Sequence, residues 1–360
     1  MSIHFKKVFI KDVRIETSDC VSIAFDIPAN LTDYFAYKHG QYLTVKCIIE
    51  GQSVQRCYSI CSSPYENELR IAIKKVTNGI FSTYATEVLK KGDAVELTAP
   101  LGKFTSELDC TKENNYISFA TGSGITPIIS IIKATLNTEK KSHFTLIYGN
   151  RSRYSIIFKE ALEELKNKYL DRFRIVYILS REKTDTDINS GRIDANKCAI
   201  IFGNTIRPTR ISKYFLCGPE EMIFSIKNYL EQLGVEKNKI FFELFSSVTN
   251  TSKQSNTVAS SNKNFSDSSK IYLKLDGIST DFDLPFSGPS ILNMAISLGI
   301  ELPFACKAGV CCTCKAKLLE GEVSMDAVYG LEPEEIDQGY ILTCQSHPIT
   351  KKIVIDFDIR

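Results

Sequence analysis

The hydrophobic positions along this chain change rhythm twice. From residue 5 to about residue 100 they come in short runs, VSIAFDI, YLTVKCII, LRIAIKKV and AVELTAP, separated by turn signals. One helical stretch, FSTYATEVLKK, interrupts them. Short strands at close spacing predict an antiparallel barrel. From about residue 115, apolar strands alternate with helical periods: YISFAT with ITPIISIIKATL, FTLIYG with a helix rich in Glu and Lys, FRIVYILS, then YFLCG with PEEMIFSIKNYLEQLG. That alternation predicts a doubly wound α/β domain with a parallel sheet covered on both faces. A third pattern follows residue 271: IYLKLDG and STDFDLP as a hairpin, SILNMAISLGI as one amphipathic helix, and KKIVIDFDI as a closing strand.

Between the second and third patterns lies SSVTNTSKQSNTVASSNKNFSDSSK, which has no apolar period and is dominated by Ser, Asn and Thr. Such a segment buries too little to order itself, so it reads as a flexible tether with ends roughly 25–30 Å apart. The expected division is therefore 1–105, 106–245, a linker over 246–270, and 271–360. Charge sharpens the picture. Residues 1–245 carry 34 Lys and Arg against 28 Asp and Glu, whereas residues 271–360 carry 7 against 13. A basic body joined to an acidic tail domain suits a tail that docks on the body and swings away, or serves solubility alone.

Composition excludes several classes. At 43% hydrophobic and 24% charged the chain is ordinary globular protein, and a net charge of +2 gives no argument for nucleic acid. No apolar run has the length of a membrane helix, and the N-terminus lacks the apolar core of a signal peptide. These features predict a cytoplasmic protein with no membrane insertion. There thiols stay reduced, so the twelve cysteines are no disulfide framework. Cys20, Cys47, Cys110 and Cys198 read as small buried hydrophobes. The four histidines are dispersed, and no Ser–His–Asp, Cys–His or HExxH arrangement is present.

The chemistry-bearing stretch is CKAGVCCTC. Cys306, Cys311 and Cys314 have the spacing C-x4-C-x2-C, with Cys344 following in ILTCQSHP. This is the plant-type [2Fe–2S] spacing, four thiolates for two irons. Zinc is the rival reading, but structural zinc sites usually present two close pairs in sequence. Cys312 is the spare thiol and is assigned as non-ligating. The run LPFACKAGVCCTCKAKLLEGEVSM, with LEPEEIDQGYILTCQSHP beyond it, resembles the C-terminal ferredoxin domain of the phenylacetyl-CoA epoxidase reductase family, which implies an α+β β-grasp fold.

The resemblance extends through the rest of the chain. RCYSICSSP contains R-x-Y-S, similar to the flavin motif of the ferredoxin–NADP reductase superfamily. It implies Arg56 on the flavin phosphates, the Tyr58 ring on the isoalloxazine and the Ser59 hydroxyl near its N5. HGQYLTV and VTNGIFSTYA resemble the same family's strand and Gly-x-x-Ser turn, with Gly79 and Ser82 opening a helix whose N-terminus suits the pyrophosphate of FAD. Phe81 and Thr83 flank that turn. ATGSGITPI resembles the family's nucleotide loop, implying Gly122, Gly124 and Thr126 at the NAD(P)H pyrophosphate. LCGPEEM implies Cys217, Gly218 and Pro219 beside the nicotinamide, with a buried strand residue as the other reading of Cys217. ILSRE implies Ser180 and Arg181 at the ribose, favouring NADPH, although the adjacent Glu182 suits NADH. Arg151 is either a helper there or a solvated charge. FFELFSS implies Glu243 and Phe245 near the flavin, or a buried strand.

Together these motifs imply an NAD(P)H-dependent oxidoreductase, with FAD converting between a two-electron donor and a one-electron cluster. The implied acceptor is a partner oxygenase of the phenylacetyl-CoA epoxidase type. A fatty-acid desaturase, a ring hydroxylase or a hybrid-cluster protein is the alternative, and a redox sensor without turnover is the alternative of another class.

Overall fold

In the computed structural model, residues 4–184, 186–203, 206–245, 268–300, 302–304 and 306–359 are described. They form two compact units, one of them Phe5–Phe245, the other centred on the segment after it. The tether expected over 246–270 lies outside the described residues except for its end, which is corrected. Ser268–Lys270 open a strand, because their backbone pairs with Asp283–Pro285 on one side and Lys270 pairs with Lys352 on the other.

The first half of the larger unit is the antiparallel barrel. Its strands are β1 (Lys6–Thr17), β2 (Cys20–Asp26), β3 (Tyr42–Ile49), β4 (Gln52–Ser59), β5 (Leu69–Lys74) and β6 (Ala94–Leu97), in the order β4-β3-β6-β1-β2-β5. A bridge between Ile60 and Ile71 joins the two ends. Val8, Ile23, Leu43, Ile71 and Leu97 fill the interior. Helix α1 (Ile80–Glu87) stops four residues short of the expected Lys91, because the KKGD segment closes a turn in which Lys90 N–H donates to Asp93 Oδ2 at 2.9 Å.

One charge is built into the barrel wall. Arg70 is 5% exposed and donates to Asp12 Oδ2 at 2.5 Å, to Glu68 Oε2 at 2.8 Å and to the Ser22 hydroxyl at 2.9 Å. Its guanidinium holds both carboxyls below their ordinary range through those bonds. Truncating one partner of a buried ion network leaves the others unpaired. Arg70→Leu is expected to cost about 3 kcal/mol, moderated by water reaching Asp12, and to lower the urea midpoint accordingly.

The second half of the same unit is a parallel sheet: β7 (Asn115–Thr121), β8 (His143–Asn150), β9 (Phe173–Leu179), β10 (Lys213–Gly218) and β11 (Ile240–Leu244). Helices α2 (Ile125–Thr138), α3 (Lys159–Lys168), α4 (Ala195–Phe202) and α5 (Glu220–Gln232) connect them. The strand order is β11-β10-β7-β8-β9. The chain therefore winds outward from β7 in one direction, then returns to β10 on its other side. Ligands of such sheets bind at this reversal, outside the carboxyl ends of the two strands. The barrel is fastened to α2 beside that point: Ser130 Oγ donates to Ser62 O at 2.6 Å, and Lys133 pairs with Glu66 at 2.9 Å.

The smaller unit contains β12 (Ser268–Leu275), β13 (Ile278–Pro285), α6 (Ile291–Ser297), β14 (Lys315–Glu320), β15 (Val323–Met325), α7 (Pro333–Asp337), β16 (Tyr340–Leu342), β17 (Ser346–Pro348) and β18 (Lys352–Asp356). Its main sheet runs β13-β12-β18-β14-β16, with β12 and β18 parallel and the other neighbours antiparallel. Helix α6 contributes Ile291, Leu292 and Ala295 to the core under that sheet. Among the described residues no helix is long and apolar enough to cross a membrane.

Cys20, Cys47 and Cys198 are buried as expected, but Cys110 is corrected: it is exposed, in the turn between the barrel and β7 where residues 109–113 all face solvent.

Candidate flavin, nucleotide and cluster sites

Strand β4 carries the R-x-Y-S residues in register with β3, Ser59 opposite Tyr42 and Arg56 opposite Val45. Alternation places Arg56 and Tyr58 on one face of the strand. Arg56 is exposed, and its guanidinium donates to Gln55 O at 2.7 Å. The Tyr58 ring lies 5.6 Å from the Phe81 ring, which is 1% exposed and so acts as a rigid backing. Phe81 thus does more than flank the turn; its place is behind Tyr58. Gly79 is the N-cap of α1, and a Cβ there would sit 2.4 Å from Ser82 Oγ. The Ser82 hydroxyl accepts from Val76 N–H at 3.1 Å and donates to Gly79 O, so it shapes the turn, and the first amides of α1 are left for a ligand. A planar cation, a backed aromatic face and an open helix N-terminus fit a flavin dinucleotide.

Ser59 turns the other way. Its hydroxyl donates to Glu243 Oε2 at 2.9 Å, from the barrel to β11 across 184 residues of sequence. Burial pushes the Glu243 carboxyl up to about 7, opposed by the Ser59 bond. Glu243 stands beside Cys217 in the β10–β11 register, and Cys217 is fully buried, its thiol pushed well above the ordinary range by burial. Phe245, just beyond β11, is half-buried and packs against the core of the α/β half.

The nucleotide loop meets the C-G-P loop at the strand reversal. A Cβ on Gly124 would lie 2.2 Å from Cys217 O, and one on Gly218 would lie 2.3 Å from Thr121 Oγ1. Only glycines permit this approach. Thr121 Oγ1 is buried there without a hydrogen-bond partner, as a group awaiting a polar ligand would be. Gly122 takes φ +52°, with open space around its Cβ position. Thr126 is buried, and its hydroxyl donates to Ser123 O at 3.0 Å, fixing the loop to the helix. Pro219 caps α5. Ser180 and Arg181 follow β9, Ser180 Oγ donating to Asn150 O at 3.3 Å and Arg181 exposed. This edge fits a pyridine nucleotide.

In the smaller unit the four thiols gather as two pairs. Cys311 N–H points at Cys306 Sγ at 3.3 Å, and Cys306 N–H points at Cys311 Sγ at 3.4 Å. Cys314 precedes β14 and Cys344 follows β16, and the register of those strands brings them together. The Cys314 thiol donates to Cys344, which raises the first and lowers the second. Among the described residues no three His, Cys, Asp or Glu side chains surround a single ion. Two thiol pairs suit two bridged irons better than one tetrahedral zinc. Gly309 has φ +71°, and a Cβ there would meet Ala327 O at 2.8 Å, so the loop closes only with glycine. Gln345, which cysteine spacing does not single out, ties the loop shut by donating from Nε2 to Lys307 O at 3.0 Å. Cys312 Sγ donates to Gly330 O at 2.6 Å, away from the pairs.

Comparison with known proteins finds three family models along the chain. Residues 8–106 match the family model described as an oxidoreductase FAD-binding domain, 119–228 an oxidoreductase NAD-binding domain, and 273–348 a 2Fe-2S iron-sulfur cluster binding domain. The chain is 38% identical to a subunit of the 1,2-phenylacetyl-CoA epoxidase of Escherichia coli (strain K12), covering 99% of this chain and 98% of that one. It is 32% identical to the ferredoxin reductase component of 3-ketosteroid-9-alpha-monooxygenase from Rhodococcus rhodochrous, over 95% and 94% of the two chains. Phthalate dioxygenase reductase shares the fold, with a TM-score of 0.62, 23% identity and 98% coverage of each chain. The chain belongs to the family of this phenylacetyl-CoA epoxidase subunit and the related oxygenase reductases, NAD(P)H-dependent oxidoreductases that pass electrons through FAD and a [2Fe–2S] cluster to an oxygenase.

Proposed function

We propose that this chain is the cytoplasmic, NADPH-dependent reductase of a phenylacetyl-CoA epoxidase type of oxygenase. The observation that carries the choice of acceptor is the 38% identity to the Escherichia coli epoxidase subunit along the full length of both chains. A flavin held here would supply the conversion between a two-electron nicotinamide donor and a one-electron cluster. The chain's own residues prepare that exchange. Arg56 and the N-terminus of α1 hold phosphates, Tyr58 presents a flat face, and Cys217 with Gly218 shapes a dry wall for the nicotinamide.

Glu243 and Ser59 manage a proton. Above about pH 7 the carboxylate accepts from the Ser59 hydroxyl. Below it the carboxylic acid donates to Ser59 in return, and the hydroxyl proton is free to serve another acceptor. Flavin reduction by NADPH is expected to show an ionisation near pH 7 that Glu243→Gln lacks. The same variant alters stability in a defined direction. A carboxyl ordinarily near 4.5 and raised to about 7 binds its proton more tightly in the folded state. Stability therefore falls as pH rises from about 4.5 to 7, and Glu243→Gln removes that fall. Stopped-flow traces and thermal melts across this range check both.

The acceptor is tested by supplying NADPH, the purified protein and, separately, a phenylacetyl-CoA epoxidase oxygenase, a ring hydroxylase oxygenase and a fatty-acid desaturase. Product formation is expected with the epoxidase at a much higher kcat/KM than with the others. Equal or better coupling to another acceptor overturns the assignment.

A further inference from the structure

Strands β8 and β9 end side by side at the nucleotide edge, and the loops after them are laced together. Ser180 N–H donates to Asn150 O at 2.9 Å, and Arg181 N–H donates to Arg151 O at 2.9 Å. Arg153 then closes on Glu182 twice. Its backbone N–H donates to Oε2 at 2.8 Å, and its guanidinium Nε donates to Oε1. Both oxygens of Glu182 are thereby engaged. The backbone N–H first, and the guanidinium second, hold this carboxyl below the ordinary carboxylate range. Arg151 and Arg181 are exposed beside the pair.

At this edge of a dinucleotide fold, an acidic side chain accepts from the free ribose 2′-hydroxyl, whereas a 2′-phosphate calls for cations and is repelled by a carboxylate. The SRE run brings both kinds of group to one place, so the outcome depends on where the carboxylate is held. We propose that Arg153 sets this chain's choice between NADPH and NADH: by occupying both oxygens of Glu182 it withdraws the carboxylate from the ribose and leaves Arg151 and Arg181 to receive a 2′-phosphate. An exposed ion pair contributes little to stability. Here the pair contributes direction: the backbone N–H of Arg153 anchors Oε2, and the guanidinium keeps Oε1 from turning to the ribose, so removing the side chain frees that oxygen. Arg153 is a positioning residue that acts through Glu182. The inference rests on the NADPH reading above and names the residue that enforces it.

The test is equilibrium binding of 2′,5′-ADP and 5′-AMP, which differ only in the 2′-phosphate, by calorimetry on the full FAD-loaded chain. Wild type is expected to bind 2′,5′-ADP at least about tenfold more tightly than 5′-AMP. Arg153→Ala is expected to lose about tenfold in affinity for 2′,5′-ADP, with 5′-AMP changed less than about twofold. The double variant Arg153→Ala with Glu182→Gln is expected to regain most of the loss, because the released carboxylate is gone. KM values for NADPH and NADH are expected to follow the same order. A merely structural role would weaken both ligands alike and would not be rescued by Glu182→Gln, and that result overturns the proposal. Equal binding of the two ligands by wild type overturns the NADPH reading and this one together. A wild-type preference that survives Arg153→Ala overturns this one alone.

Discussion

Gly124→Ala is expected to lower kcat/KM for the nicotinamide nucleotide by about 100-fold, while FAD is retained on purification. The backbone angles of Gly124, φ −62° and ψ −8°, are ordinary helical values that alanine adopts freely. The obstacle is space. The new methyl would lie 2.2 Å from Cys217 O, 2.6 Å from Cys217 C and 3.1 Å from Gly218 N. All three are backbone atoms, and none belongs to a side chain that could rotate away. The strand that bears them is held on both sides, Cys217 against Ala120 of β7 and against Glu243 of β11. The loop must therefore move, by about 1 Å, and a misplacement of that size is enough to spoil alignment of a hydride donor. Overpacking of this kind also costs about 1–3 kcal/mol of stability. Gly122→Ala is the informative partner. Its Cβ would meet nothing within 4 Å, but φ is +52°, so only the left-handed penalty of about 1 kcal/mol applies. Stopped-flow flavin reduction separates the two variants. Comparable rates for Gly124→Ala and wild type would show that the loop yields without moving the nucleotide.

The difference between these glycines illustrates what the amino-acid sequence discloses. The motif around Gly122 and Gly124 is visible because its members are neighbours in the chain. That Gly124 abuts Cys217 is a property of strand order, and strand order is not written in any local window. The same division applies elsewhere. The cluster cysteines follow from spacing, since three of them occupy one loop. The Ser59–Glu243 bond spans 184 residues, and only the packing of barrel on sheet brings the two side chains together. Arg153 and Glu182 lie in separate loops, so the carboxylate in SRE points toward NADH until its partner is placed beside it. Strand β1 does not announce itself, because half of its residues are charged, and it is held by pairing with β2 and β6 more than by an apolar face. Ser268–Lys270 read as tether for a related reason: backbone pairing to two neighbours orders a polar segment whose side chains carry no periodic signal.

Cys311→Ser is expected to remove the visible absorption of the cluster together with its iron and sulfide, and to take electron delivery to a protein acceptor down to background. Ferricyanide reduction is expected to persist, because that oxidant draws on flavin directly. Geometry is the reason. Cys311 is 6% exposed and faces Cys306, with which it exchanges N–H···S contacts at 3.3 and 3.4 Å. A serine oxygen in that place is a harder ligand on a shorter bond. Cys312 is the obvious substitute by sequence, one residue away. Its thiol, however, is committed to Gly330 O at 2.6 Å on the other side of the loop. Turning it inward would require the backbone to rotate through a segment already fixed by Gly330 N–H on Gly309 O at 2.8 Å. Cys312→Ser is accordingly expected to keep the cluster, its spectrum and its acceptor activity. Iron and sulfide analysis of the two variants, side by side, decides the matter. A normal cluster in Cys311→Ser, or its loss in Cys312→Ser, would reverse the ligand assignment. The first result would mean that the two thiol pairs are rearranged by the metal, with the spare thiol recruited across the loop.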